Sequence, residues 1–118
     1  MKILITGSKG MLAQDVIPIL RGGHEVIPVP EEDLDITKRA SLYDAVKKTA
    51  PDVIINCAAY TQVDRAEEER EKAFLVNGVG VQNIALVCHD RGIPLCHIST
   101  DYVFDGRKKS PYTPFDNA

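Results

Sequence analysis

The sequence predicts an α/β fold, a parallel sheet with helices on both faces, and three observations predict it. Short apolar runs, Ile3-Leu4-Ile5, Val53-Ile54-Ile55 and Pro94 to Ser99, alternate with longer stretches whose apolar residues recur at helical spacing. That alternation is the pattern of right-handed β-α-β units. The first run gives way to a helical stretch through a glycine turn, Gly7-Ser8-Lys9-Gly10.

Each element follows in order from its residues. Residues 2–6 form a strand buried on both faces, because the run is continuous rather than alternating and stops at Thr6-Gly7. Met11, Leu12, Val16, Ile17 and Leu20 then recur at helical spacing, and Gly22-Gly23 provide the stop. Pro18 removes one backbone hydrogen bond from that helix and predicts a kink. Residues 25–29 form a second strand, which Pro28 and Pro30 make prone to fray. Residues 31–36 supply a short segment at the third strand position. Thr37 is the expected cap of a helix whose apolar stripe is Leu42, Ala45 and Val46, with Pro51 beyond its end. Residues 53–55 form a strand closing at Asn56-Cys57-Ala58-Ala59.

From Ala66 to Arg91 the chain reads as helix in one or two pieces, with Glu67, Glu68, Glu69 and Glu71 at the positive end of its dipole. Gly92 ends it, and a last strand runs from Pro94 to Ser99. Residues 105–118, with Gly106, Pro111 and Pro114, read as loop or tail. The domain proper is therefore expected at residues 1–104. The sheet order expected of such a Rossmann-like chain is 3-2-1-4-5.

The chain has 118 residues, which bounds it to one domain. Its 44% hydrophobic content is not that of a disordered tail. A net charge of -3, from 17 acidic and 14 basic residues, argues against a nucleic-acid module, which needs a basic excess. No stretch reaches the roughly 20 apolar residues of a membrane helix, and the N-terminus lacks the form of a signal peptide. Three cysteines, Cys57, Cys88 and Cys96, with no Cys-x-x-Cys pair, fit buried thiols in a cytoplasmic protein. The dipeptides Cys88-His89 and Cys96-His97 mimic a zinc signature, but one lies in a helical pattern and the other in a strand, so no metal is assigned. Asp15, a single helix carboxylate, does not change that.

The chemistry concentrates at the first turn. Gly7-Ser8-Lys9-Gly10-Met11-Leu12-Ala13 is G-x-x-G-x-x-A between strand and helix. Gly7 permits a tight turn, Gly10 lets backbone approach a pyrophosphate, and Ala13 lets the helix pack close to the sheet. The helix start at Met11 and Leu12 offers free N–H groups and a partial positive charge to phosphates. No G-K-[ST] follows the second glycine, which disfavours a P-loop. The end of the second strand, Val29-Pro30-Glu31-Glu32, should read the adenosine ribose. Glu31 is able to accept from a ribose hydroxyl and equally able to be a solvated loop acid, so NADPH and NADH both stay open.

Further motifs carry a resemblance. Gly7-Ser8-Lys9-Gly10, Asp33-Leu34-Asp35-Ile36, Pro51 to Asp64 with Ala58-Ala59-Tyr60-Thr61, Val76-Asn77, and Ile98-Ser99-Thr100-Asp101-Tyr102-Val103-Phe104-Asp105-Gly106 occur in that order. Over the whole chain this set resembles the dTDP-4-dehydrorhamnose reductase family of extended short-chain dehydrogenases. The resemblance implies that Asp35 and Ile36 contact adenine, that Ala58, Ala59 and Tyr60 lie along the cofactor ribose, and that Ser99 also borders the cofactor. It places Thr61, Val63, Asp101, Tyr102 and Phe104 near the nucleotide sugar, and gives Asn77 a structural part. Thr100 matches the catalytic hydroxyl, with Ser99 the alternative that the family pattern favours less; that hydroxyl, with a tyrosine, stabilises and protonates the ketone oxygen as hydride arrives. The implied reaction is NADPH- or NADH-dependent reduction of the 4-keto group of dTDP-4-dehydrorhamnose. A non-catalytic NADP-binding regulatory subunit on the same fold is the alternative, and a structural piece without ligand affinity is a third.

The family's Tyr-x-x-x-Lys element belongs after Thr100, and no match follows Thr100 in these 118 residues. Tyr43-Asp44-Ala45-Val46-Lys47 has the spacing but lies upstream, on the adenosine half, and is a decoy. The expectation is a catalytically incomplete chain, truncated before the last strands and substrate subdomain. Its last strand would then be an open edge, prone to association. For the full-length family the resemblance implies a homodimer in some members and a monomer in others.

Overall fold

Ile3, Leu4 and Ile5 point alternately to opposite sides of the backbone, and each side meets its own core. Leu4 packs with Leu34, Ile36, Leu42, Val46, Ile54, Ile84, Val87 and Cys88. Ile3 and Ile5 pack with Ala13 and Ile17. A strand buried on both faces is the central strand of a two-layered wrap. The computed structural model describes residues 1–117, with Asp101 described by its backbone alone.

The sheet has four strands, β1 (Lys2–Thr6), β2 (Glu25–Val29), β3 (Val53–Asn56) and β4 (Leu95–His97). Their order is β2-β1-β3-β4, and each neighbouring pair is parallel. The register sets Leu4 opposite Ile27 and Ile54, and Ile55 opposite Cys96. The helices are α1 (Met11–Arg21), α2 (Arg39–Thr49), α3 (Val63–Ala66), α4 (Arg70–Phe74) and α5 (Val81–Arg91). Helix α1 covers the Ile3 and Ile5 side through Ala13 and Ile17. Helices α2 and α5 cover the Leu4 side through Leu42, Val46, Ile84 and Val87. Each buried Ile, Leu or Val side chain among these contributes about 1.5–3 kcal/mol.

The structure departs from the sequence expectations in five places. Residues 31–36 form no strand: after Pro30 the chain folds into turns, with the Asp33 and Leu34 N–H groups bonded to the Pro30 carbonyl. Leu34 and Ile36 drop into the core from these turns instead. The sheet therefore keeps the expected neighbours around β1 without a strand outside β2. Pro28 sits inside β2, opposite Ile5, where an edge strand tolerates its missing donor.

Thr37 does not cap α2. The cap position is Lys38, without a side-chain bond, and the Thr37 hydroxyl donates to Asp35 at 2.7 Å. The long helical stretch begins earlier than expected, with α3 at Val63, and its main part from Arg70 to Arg91 contains a π-helical turn at Leu75–Gly80 between α4 and α5. Gly78 and Gly80 lower the α-helical preference there. The last strand is shortened to three residues, and of the cysteines Cys88 alone is buried, Cys57 being half-buried and Cys96 exposed at the outer strand.

Among the described residues, no helix is long and apolar enough to cross a membrane. After the 3-10 turn at Asp101–Val103 the described chain has neither helix nor strand. It is tied to itself: Phe104 stacks on Tyr112 at 4.3 Å, the Tyr112 hydroxyl donates to Asp105, and Lys108 pairs with Asp116 at 2.6 Å.

Candidate functional site

The chain runs from β1 to β2 on one side and later to β3 on the other, so the crevice at the carboxyl ends of β1 and β3 is the topological switch point of the sheet, where open α/β folds take their ligands. A cleft of about 340 Å³ lies there. Its walls are the glycine turn (Gly7, Lys9, Gly10), the turns after β2 (Glu31, Glu32, Leu34, Asp35, Ile36), the loop after β3 (Cys57 to Gln62), and Lys72 and Val76 from the helical stretch.

The glycine turn is built by two constraints. Gly7 has φ +63, a left-handed conformation that favours glycine. A Cβ there would also lie 2.6 Å from the Cα and N of Ala58. The turn is thus pressed onto the loop after β3. Gly10 donates its N–H to the Gly7 carbonyl at 2.9 Å and is the N-cap residue of α1, with no side-chain cap. The first N–H groups of α1 are left for solvent or an anion. Ala13 is fully buried, as close helix-to-sheet packing requires. The Ser8 N–H, bonded to the Val29 carbonyl at 3.2 Å, ties the turn to the end of β2.

A polar relay beneath the cleft fixes the β3 loop. The buried Thr6 hydroxyl donates to the Asn56 Oδ1 at 2.6 Å, and the same oxygen accepts the Ala58 N–H at 3.2 Å. The Asn56 Nδ2 lies 3.0 Å from the His97 Nδ1. One amide therefore joins the ends of β1, β3 and β4. Burial pushes the Cys57 thiol upward, with Cys96 adding to it, so Cys57 lines the cleft as a neutral group.

Two asparagines hold the remaining walls. Asn77, in the π turn, accepts the Tyr60 N–H at 2.8 Å and donates to the Tyr60 carbonyl at 3.0 Å. Asn83, buried in α5, donates to the carbonyls of Ile36 at 3.2 Å and Thr37 at 2.9 Å, and accepts from Arg39 at 3.1 Å. The Tyr60 hydroxyl donates to Glu69, a bond that raises the phenol and lowers the carboxyl, and Lys72 lies 5.4 Å from its ring centre. Asp35 is held below the usual carboxylate range, first by the Thr37 hydroxyl.

The structure brings Gly7, Gly10, Asp35, Ile36, Ala58, Ala59, Tyr60 and Thr61 together along this cleft. The Ile36 side chain is core: a Cβ on Gly80 would lie 2.7 Å from it, so Gly80 exists to admit it. Met11 and Leu12 stand at the start of α1 with exposed side chains and do not line the cleft. Neither do Val63, Ser99, Thr100, Tyr102 and Phe104. Ser99 and Thr100 are exposed just beyond β4, and the Thr100 hydroxyl accepts the Tyr102 N–H at 3.2 Å. The Asp101 side chain lies outside the described residues. Tyr43 is bonded to Asp90 of α5 and lies away from the cleft.

Sequence reasoning missed Lys9 and Glu32 as cleft residues, although they pair with one another across its mouth. A base inside the glycine turn and an acid after β2 were the available signal. Asn83 was also missed; an amide at an apolar-stripe position of a helix was its signature.

The family model described as the RmlD substrate binding domain matches residues 1–118. The chain belongs to this family. Within it, the chain is 48% identical over 110 residues to a dTDP-4-keto-6-deoxy-D-glucose reductase of Streptomyces niveus, covering 92% of this chain and 38% of that protein. A dTDP-4-dehydrorhamnose reductase of Clostridium acetobutylicum matches with a TM-score of 0.93 and 44% identity, over 99% of this chain and 42% of that one. A dTDP-4-dehydrorhamnose reductase of Bacillus anthracis, solved in complex with NADP, matches with a TM-score of 0.93 and 38% identity, over 98% and 42%. The chain thus spans about two-fifths of the length of these members of the family.

Proposed function

We propose that the chain is the NADPH- or NADH-binding part of a nucleotide-sugar reductase that converts the 4-keto group of dTDP-4-dehydrorhamnose to an alcohol, making dTDP-L-rhamnose. The observation that carries this reading is the switch-point cleft, in which Gly7 presses on Ala58 beside the uncapped start of α1. The residues present fit a dinucleotide: small side chains at Gly10, Ala58 and Ala59 keep the backbone open, and Asp35 offers a carboxylate at the adenosine end. The matching reductases support the substrate class, and the NADP complex supports the cofactor class.

When bound, the reduced nicotinamide supplies the hydride. The N–H groups at Met11 and Leu12 hold the pyrophosphate by the helix dipole. Ala58, Ala59 and Tyr60 carry the ribose along their backbone, with Ser99 bordering it. We assign the catalytic hydroxyl to Thr100, which donates to the carbonyl oxygen as negative charge builds on it. Thr61, Val63, Asp101, Tyr102 and Phe104 are assigned to the sugar nucleotide. We place the protein in the cytoplasm.

Calorimetric titration of the protein with NADPH and with NADH tests the reading. Saturable one-to-one binding of at least one of them is expected, weakened severalfold or more by Gly10→Val at the approach to the pyrophosphate. No heat of binding at millimolar dinucleotide overturns it.

A further inference from the structure

The partners of the Asn56 amide dictate which way it points. Its Oδ1 accepts the Thr6 hydroxyl at 2.6 Å and the Ala58 N–H at 3.2 Å, and a backbone N–H only donates. The Nδ2 is therefore left to face the His97 Nδ1 at 3.0 Å, with the Ala58 carbonyl farther off at 3.4 Å. An amide nitrogen also only donates, so the His97 Nδ1 must accept and the ring proton must sit on Nε2. Asn56 is 1% exposed, so a lost partner strands a buried donor. His97 itself is exposed on the outer strand, where solvent protons reach it.

We propose that His97 is a positioning residue for the dinucleotide that acts through Asn56: the neutral Nε2–H ring holds the amide that holds Ala58, and a proton on Nδ1 releases it. The inference rests on the nucleotide reading above. Protonation turns the acceptor into a donor and sets two N–H groups face to face. The amide then either strands its Nδ2 or turns over to accept from the imidazolium and gives up the Ala58 N–H. One bond of the relay is lost in both cases, beside the residue on which Gly7 presses. The elements packed against β4 bring no competing charge to this end of it. Val53–Asn56 of β3 and residues 75–87 of the helical stretch carry no titratable side chain. Helix α5 keeps Cys88, His89, Asp90 and Arg91 in its last turn, toward the start of β4. Cys96 lies next to His97 in the strand, and Cys57, next to Asn56, is pushed upward and neutral. Among the described residues His97 makes no ion pair. Because the relay holds the neutral ring, affinity is full above the ordinary imidazole range and falls as the pH drops through it.

Dissociation constants for NADP⁺ and NAD⁺, the acid-stable forms, measured by calorimetry between about pH 8 and pH 5.5 on the wild-type protein, His97→Asn and His97→Leu, test this. The ligands' own protonation enters all three proteins alike, so the readout is the difference between them. Asparagine places a carbonyl that does not titrate where Nδ1 stands. His97→Asn should therefore bind as wild type does at the alkaline end, while the wild type loses about fivefold more affinity on acidification, the loss of one hydrogen bond. His97→Leu should bind about fivefold more weakly than wild type at the alkaline end, with no added acid-side loss. Nitrogen NMR of the imidazoles in the wild type reads the tautomer directly, with the His97 proton expected on Nε2. A proton on Nδ1 at the alkaline end overturns the inference whatever the variants do. Acid-side losses within about twofold of each other in wild type and His97→Asn, with binding retained, overturn the inference alone. No binding of either dinucleotide to the wild type at any pH overturns the nucleotide reading and this inference with it.

Discussion

Asn77 grips Tyr60 by both backbone groups, accepting its N–H and donating to its carbonyl. Seventeen residues separate them in sequence, and the grip crosses from the helical stretch to the loop after β3. No strand neighbour satisfies those two groups of Tyr60, so the side-chain amide replaces a missing piece of sheet. The cleft wall from Ala58 to Thr61 hangs between this amide and the Asn56 relay.

Asn77→Ala should leave both Tyr60 groups to water. Because the site is exposed, the loss in urea unfolding should be modest, about 1 kcal/mol, while dinucleotide affinity falls severalfold. Asn77→Asp keeps the acceptor and loses the donor, and should lie between. Unchanged affinity in Asn77→Ala would show that the loop holds its shape without the amide.

Gly7 and Gly92 form a matched pair for separating backbone strain from contact. Both have left-handed φ, +63 and +65, but a Cβ on Gly92 meets nothing within 4 Å whereas one on Gly7 strikes Ala58. Gly92→Ala should cost about 1–2 kcal/mol. Gly7→Ala should cost more, about 3 kcal/mol or above, because the β3 loop must also move. Equal losses in thermal unfolding would deny the contact its role.

Asn83 is 3% exposed and satisfies two carbonyls of the turn that carries Asp35. Asn83→Leu should destabilise the protein by about 2–3 kcal/mol, since the Ile36 and Thr37 carbonyls lose their donor in a buried place. Hydrogen exchange should localise the effect to residues 35–39.

The bond from the Thr37 hydroxyl lowers Asp35 below its ordinary value of 3.8. A carboxyl lowered by folding stabilises the native state fully above its unfolded value, and that contribution disappears as the pH falls through the lower folded value. Thr37→Val should raise the Asp35 titration midpoint, read by NMR, and remove this part of the acid-side slope of stability below about pH 4. With the carboxylate half exposed and paired also to Lys38 at 3.3 Å, the change in stability should be small and screened by salt.

Most of the fold was legible because its signals are local. Continuous apolar runs marked β1 and β3, and Gly92 marked the end of α5 through its left-handed turn. The turns at residues 31–36 were not legible as turns, because Leu34 and Ile36 show the alternate apolar spacing of a strand while Pro30 redirects the backbone beneath them. The glycine turn was read from its residues and the Ala58 loop from the resemblance its motif carries, and both line the cleft. Lys9 with Glu32, Asn77 with Tyr60 and Asn83 with Ile36 were not, since each pairs residues far apart in sequence and only tertiary packing brings them together.

The π turn at Leu75–Gly80 gives the helix between Arg70 and Arg91 a change of phase. A wider turn is what one surplus residue leaves in an α-helix when neither flank can slip. Upstream of it the helix faces the cleft with Lys72, the turn itself adds Val76, and downstream the helix faces the core with Ile84 and Val87. Two surfaces with incompatible periodicities are thereby served by one rod, and the joint between them is where the amide that grips the loop is mounted. Removing a single residue there would heal the ladder and leave a regular helix, sound in its packing, whose gripping side chain had been rotated out of reach.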